Sequence, residues 1–449
     1  MVRMLIGGCF CVLTVFAQQG TSPYWTQETL VPNLGGSSSG GVGTNMGVTS
    51  DGTIYSFFFI LLGLNFDLYL SKSEDEGATW SEPVFFEPAT DGAVSPVVVV
   101  DRNDRIHVAW LQRIPTDTVR HAYSDDGAET WSKPQVVSAA VRHQFNSPII
   151  TVDRQNRVHI MWHDGHPEEE GMPAEAWYNR SPDNGITFDN PTMLSLDDNL
   201  NSAFPRADFT GTDGDDLIIV WRDNRPQVHW DTYGVISNDG GANWTEVLVA
   251  GGNGDQWDPM SLVTRDGDFH VSWMQAQFGD PFVVDIWWIK STDTGQNWTE
   301  GQILSEGERS RFSFYVYNRP KDLIWLFWKD ERDFNTDNGN PEADLAGKYS
   351  EDGGDSWSSL RFVTDKGDFD VRFPAFVIDQ EGTVHCTYSY SENDNQDPFA
   401  IYYTRREDCE DLDVADPTGI TMADLTTLAG MWSDRESDLF MLVRTASCL

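Results

Sequence analysis

The sequence predicts an all-β protein, a seven-bladed β-propeller, and three observations predict it. An eight-residue pattern, Ser-x-Asp-x-Gly-x-Thr-Trp in its cleanest copy, recurs six times. Four short strand patterns accompany each copy. Seven repeat starts can be counted, one more than the pattern supplies. A fixed period of this length implies stacked or radially arranged units of one supersecondary type. Four strands per unit make a propeller blade. Six blades is the alternative if the last repeat does not close.

The copies run Ser73/Asp75/Gly77/Thr79/Trp80, Ser124/Asp126/Thr130/Trp131 and Ser181/Asp183/Gly185/Thr187/Phe188. Then come Ser237/Asp239/Gly241/Trp244, Ser291/Asp293/Gly295/Trp298 and Ser350/Asp352/Gly354/Trp357. The second copy carries its glycine one place early, at Gly127. Successive aspartates lie 51, 57, 56, 54 and 59 residues apart.

Within a repeat, an apolar strand containing proline ends in aspartate, as from Ser95-Pro96 to Asp101. A turn leads to an apolar-His-apolar-x-Trp strand, as in Ile106–Trp110. A variable loop follows. A third strand then runs into the aspartate pattern, and Trp131 to Val137 exemplifies the fourth. Short strands divided by turn residues at regular intervals indicate an all-β fold. Repeats begin near Asn45, Ser95, Asn146, Ala203, Asp258, Arg311 and Arg372. The seventh stops at Tyr402-Tyr403 before a fourth strand. Trp25–Val31 resembles the stretches after the other patterns, so it is expected to complete the last blade and close the ring. Closure removes free sheet edges. Gly35–Gly43 then reads as a surface loop.

Residues 1–17 combine one positive charge, a short apolar run and a small residue at Ala17, which predicts a signal peptide. The run is too short to span a bilayer, so a secreted protein, extracellular or periplasmic, is expected. The propeller is expected over 23–406 and a C-terminal tail with a helix over 409–449. Cys386 reads as an inert buried thiol, and Cys409 and Cys448 as a disulfide bracketing the tail. The 449 residues carry 30 basic and 71 acidic side chains, a net charge of −41. Such a chain repels phosphate backbones and anionic lipid, which excludes nucleic acid and membrane surfaces as expected partners.

Tail residues Asp411, Asp413, Asp416 and Asp424 around Gly419 suggest a calcium loop. No other cofactor is expected. The tail resembles dockerin-like modules, with imperfect carboxylate spacing, and that resemblance implies a protein partner.

The six aspartate patterns resemble the Asp boxes of BNR-repeat proteins in the sialidase-like superfamily, over nearly all of Trp25 to Arg406. The resemblance implies that the boxes are turns on the rim, away from the ligand face. Their aspartates are then local backbone acceptors rather than catalysts. Residues present in many blades serve the blade. By that test His107, His159, His270 and His385 are structural, as are Trp110, Trp162, Trp221, Trp273 and Trp328.

Function is expected where symmetry breaks, in the loops before each first strand and after each second one. Blade three supplies Arg142-His143, Trp162-His163-Asp164 and His166, followed by Glu168–Glu170. Histidine titrates near neutral pH and can act as acid or base, or join carboxylates at a metal. Blade four supplies Phe204-Pro205-Arg206 and Arg222-Asp223-Asn224-Arg225. Arginine there suits a carboxylate or sulfate, although Arg225 could simply pair with Asp223. Further candidates are Gln112, Arg113, Asp258, Arg309, Arg311, Lys329, Asp330 and Arg372. Trp230, Trp257 and Phe278 could stack on sugar rings.

Two functional readings follow from the resemblance. Sialidases hold a carboxylate with three arginines, and Arg206, Arg311 and Arg372 occupy equivalent first-strand positions for that role. No tyrosine–glutamate nucleophile pair is evident, and Arg113-Ile114-Pro115 falls in the wrong place for the sialidase signature. Seven-bladed BNR-type polysaccharide lyases, which act on uronic-acid polymers, are matched by His143, His163 and Arg222. Phe204 stands where they carry tyrosine. The expected function is therefore a glycosidase or lyase acting on an anionic glycan, with His143 or His163 as acid or base and Arg206 and Arg222 on the substrate carboxylate. The alternative is a propeller that binds glycan or protein without catalysis.

Overall fold

The computed structural model describes residues 20–21, 25–26, 28–32, 37–39, 45–62, 65–89, 92–114, 117–138, 148–165, 173–252, 254–277, 283–306, 309–331, 343–365, 371–390 and 400–406. The expected signal peptide, His143, His166, Phe278 and residues 407–449, with the calcium and disulfide expectations placed there, lie outside them. All regular structure among the described residues is strand, and no helix there is long and apolar enough to cross a membrane.

Seven antiparallel blade sheets follow one another along the chain; blades two to six each have four strands in sequence order, blade one has five, and blade seven has four. Blade two shows the plan: Ala93–Val100, Ile106–Gln112, Thr118–Ser124 and Gln135–Val136. The second and third strands pair along nearly their whole length, whereas the fourth is two residues long in most blades. The seventh blade takes its fourth strand from the N-terminus, with Thr29, Leu30 and Val31 opposite Tyr403, Tyr402 and Ile401. The expected closure is therefore present. Ser37–Ser39 pairs with Leu61–Phe59 beside Met46–Val48, so the expected Gly/Ser surface loop contributes to blade one. The reason is the length of Ile54–Leu62, whose far end needs backbone partners.

The core lies between blades. Trp162 of blade three packs with Val97, Ala109 and Val119 of blade two. Trp221 is fully buried among residues of blades three to five. Truncating such a side chain costs about 3–5 kcal/mol.

Each Asp box sits on the turn after a third strand and is satisfied locally. Ser73 Oγ donates to Asp75 at 2.9 Å, and Asp75 accepts the Thr79 N–H at 2.8 Å and its hydroxyl at 2.6 Å. These bonds hold the carboxyl below its usual range, to about 2 in Asp239, where Asn243 is the main donor. The box glycine presses on the preceding blade. A Cβ on Gly77 would stand 1.8 Å from the Tyr403 ring, and one on Gly241 would stand 2.2 Å from the Tyr178 hydroxyl.

The repeated histidines are buried braces as well. His159 contacts the Tyr178 hydroxyl at 2.7 Å and Asp153 at 3.2 Å. His385 repeats this with Tyr403 and Asp379 at 2.7 and 3.1 Å. Cys386 is a free, fully buried thiol whose pKa burial pushes up.

Candidate functional site

First and second strands define one end of the propeller at the start of the former and the finish of the latter. First strands carry a bulge near that end in blades two, four, five, six and seven. The bulge residue adopts positive φ: Ser95 at 54°, Phe204 at 61°, Asp258 at 46° and Phe312 at 53°. Such a conformation costs a non-glycine residue about 1–3 kcal/mol, and it re-aims the backbone N–H and side chain.

Two of these N–H groups find acceptors in the preceding blade. Phe312 N–H points to Met274 Sδ at 3.2 Å, and Phe204 N–H to His163 Nδ1 at 3.2 Å. Met274 and His163 each directly follow the second-strand tryptophan, so the position is common and the histidine is particular.

Alternation along Val158–Asp164 determines where His163 goes. Trp162 faces blade two, so His163 faces blade four. It is 3% exposed, and its ring stands edge-on to Phe204 at 4.8 Å. Because Nδ1 accepts the Phe204 N–H, the neutral ring carries its proton on Nε2.

The Arg222 guanidinium lies over the Phe204 ring at 4.3 Å and the Trp230 ring at 4.6 Å. Trp230 is itself anchored, since its N–H donates to Asp255 at 2.9 Å and its carbonyl accepts the Gln256 N–H at 2.8 Å. Imidazole, phenyl, guanidinium and indole therefore form one contiguous row. A guanidinium gripped by its faces keeps its charge and the planar N–H edge suited to a carboxylate.

Other candidates settle into structural roles. Arg225 is clamped by Asp223 at 3.0 and 2.8 Å and by Glu246 at 2.7 Å. Gln112, Asp223, Gln275 and Asp330 each accept the indole N–H of the tryptophan two residues earlier, at 3.3, 3.0, 3.1 and 3.4 Å. Trp257 is half-buried against the core shared by blades five and six. Arg113 is exposed just beyond its strand, its N–H on the Gly92 carbonyl at 3.0 Å.

The expected arginine triad does not form from equivalent positions. Arg311 and Arg372 precede the bulge, opposite Lys329 and Ser389, whereas Arg206 follows it, opposite Val220. The bulge carries Arg206 into the row of Met260, Phe314 and Ala375 on the central channel. Arg311 is also neutralised: Glu331 binds it at 3.1 Å and Lys329 at 3.2 Å. Glu331, 4% exposed, was not legible in the sequence. Its only signal is an acid directly after Lys329-Asp330.

Glu175 attracts notice because burial pushes its pKa up to about 7. Its repeat position argues for structure. Ser195 donates to it at 2.7 Å, as Ser305 does to Asp285 at 2.9 Å and Thr364 to Asp344 at 2.7 Å.

Comparison with known proteins agrees with this architecture. An ulvan lyase of a polysaccharide lyase family, solved bound to GlcA(1-4)Rha3S, superposes with a TM-score of 0.54 at 14% identity, covering 87% of this chain and all (100%) of that one. A Dyadobacter fermentans protein of unknown function gives 0.50 at 13% identity, covering 85% and 98%. A Hadza microbial sialidase gives 0.49 at 14%, covering 78% and 73%. At such identities the likeness is one of fold. No curated protein matches the sequence. The BNR repeat-like domain profile matches residues 116–386, more than half of the chain, which is therefore a member of the BNR repeat-like family.

Proposed function

We propose that this is a secreted, glycan-directed propeller whose face at blades three and four takes an anionic polysaccharide. One observation carries the reading: the Phe204 N–H orients His163 while the Phe204 ring supports the Arg222 guanidinium. A proton donor and a fixed cation thus share one support. This pairing suits uronic-acid polymers, in which the charged carboxylate adjoins the carbon that loses a proton.

In the catalytic form of the proposal, Arg222 neutralises that carboxylate and acidifies the adjacent C–H. A base removes the proton, the C–H electrons form the new double bond, and the glycosidic C–O bond breaks. His163 Nε2–H protonates the departing oxygen. His143 is the proposed base. Phe204 positions both partners and can neither give nor take a proton.

That missing hydroxyl favours a second reading, a face that binds the glycan without cleaving it. A product screen on sialosides and uronic-acid polysaccharides separates the readings, with His163→Ala as control. Unsaturated-sugar absorbance lost in the variant supports the lyase. Release of sialic acid would replace it with a sialidase. Binding without product supports the second reading, and neither binding nor product would sink both.

A further inference from the structure

Away from that face, the seven first strands enclose a central channel of about 620 Å³. It reaches the opposite, Asp-box end, where the turns between first and second strands line it. This volume lies within the range of small-molecule sites. Acidic residues crowd that mouth, but their carboxylates are already committed. Asp101 accepts from Asn184 at 2.8 Å and from the Asn103 and Arg105 N–H groups at 2.7 and 2.9 Å. Asp153 holds Arg157 and His159, and Asp379 holds His385. Arg102, Arg154 and Arg319 line the same mouth, and the last two are ion-paired with Asp213.

Deeper in the channel lies Arg206, 4% exposed. Among the described residues no acceptor lies within hydrogen-bonding distance of its guanidinium. Asp258, across the blade boundary, acts on it electrostatically without ion-pair contact. Burial lowers its pKa, yet an arginine keeps its proton at neutral pH. A buried cation without a contacting partner is costly, and the bulge at Phe204 is what turns it into this row. Two residues on, Asp208 also lines the channel, its carboxylate taking the Thr210 N–H at 2.9 Å. The surrounding wall is apolar: Met260, Phe314 and Ala375.

We infer that the channel is a second ligand site, separate from the glycan face, for a small molecule bearing a carboxylate or sulfate. Its oxyanion would lie bidentate on the Arg206 fork. Asp208 would accept a ligand hydroxyl, and the apolar row would cover the remainder. The chemistry is shared by inorganic sulfate and by a free acidic monosaccharide, and the volume exceeds what an inorganic ion fills.

The test uses the full chain. Binding of sulfate and of glucuronate is measured by calorimetry for wild type, Arg206→Met and Arg206→Lys, and crystals are soaked in selenate. Arg206→Met removes a buried charge in favour of an apolar chain, so it should fold at least as stably in anion-free buffer. Expected are saturable binding by wild type, a selenium signal at Arg206, and a loss of about tenfold or more in both variants. Tighter binding of glucuronate than of sulfate would assign the organic ligand, and the reverse would assign the inorganic one. Equal affinities in wild type and Arg206→Met would overturn the site, as would water alone against Arg206 in the selenate crystals. Arg222→Ala should leave this binding intact, and loss of it there would transfer the signal to the glycan face.

Discussion

The Nδ1 atom of His163 accepts the backbone N–H of Phe204 at 3.2 Å, across the boundary between blades three and four. The bond couples an acid–base side chain to a residue held at φ 61°. Its consequence is a fixed tautomer, with the neutral imidazole proton on Nε2. In that state Nε2, and not Nδ1, is the donor of the neutral ring.

If the face is a lyase, Phe204→Tyr should raise turnover on uronic-acid polymers by about tenfold or more, since a positioned acid–base group contributes about 10²–10⁴-fold. The readout is the unsaturated-sugar absorbance at saturating substrate. An unchanged rate with unchanged KM would count against a lyase mechanism at this face.

Arg222→Lys keeps the charge but loses the planar group stacked between Phe204 and Trp230. Affinity for an anionic glycan should fall about tenfold, while the response to added salt persists because the charge is retained. Titration at two ionic strengths checks this. Equal affinity would show that charge alone suffices.

Gly77→Ala tests ring closure. The added methyl would enter the Tyr403 ring, and the glycine sits at φ 87°. The loss should be about 2–4 kcal/mol by denaturant titration. Gly52→Ala shares positive φ, at 83°, but meets open space, so its cost should be about 1 kcal/mol.

Stability should depend on pH in two windows. Glu175 has its folded pKa raised from 4.5 to about 7, chiefly by burial. The folded state then binds the extra proton, so stability is full below 4.5 and declines until the pH passes about 7. Glu175→Gln should flatten that decline, by about 1–2 kcal/mol at pH 8. The Asp-box carboxyls run the other way. Their folded values lie below 3.8, so their contribution is present above it and fades as the pH falls through the folded values. Thermal melts from pH 2 to 9 would show both limbs, and a Glu175→Gln melt parallel to wild type would refute the first.

Much of the fold was legible because it repeats. Asp75 and its five counterparts announce a turn through local side-chain bonds, and local bonds leave local patterns. Trp110, Trp221, Trp273 and Trp328 were equally readable, since alternation buries them. The arginines were harder. Arg206, Arg311 and Arg372 look equivalent along the chain, and only the bulge separates Arg206 by shifting the register. The dipeptides Ser95-Pro96, Phe204-Pro205 and Asp258-Pro259 mark those bulges, but proline alone does not specify positive φ at the residue before it. Glu331 left almost no trace, because its role depends on Arg311 approaching from another strand.

The sequence by itself determined the blade and pointed to seven of them, with an N-terminal strand to close the ring. These rest on period, alternation and turn chemistry, all short-range along the chain. The tertiary structure alone decided that His163 meets Phe204, that Arg222 lies between two rings and that Arg206 belongs to the channel. Those outcomes depend on how a strained bulge in one blade meets the end of a strand in the next. No spacing in the chain encodes that meeting, because it is set by the packing of neighbouring sheets.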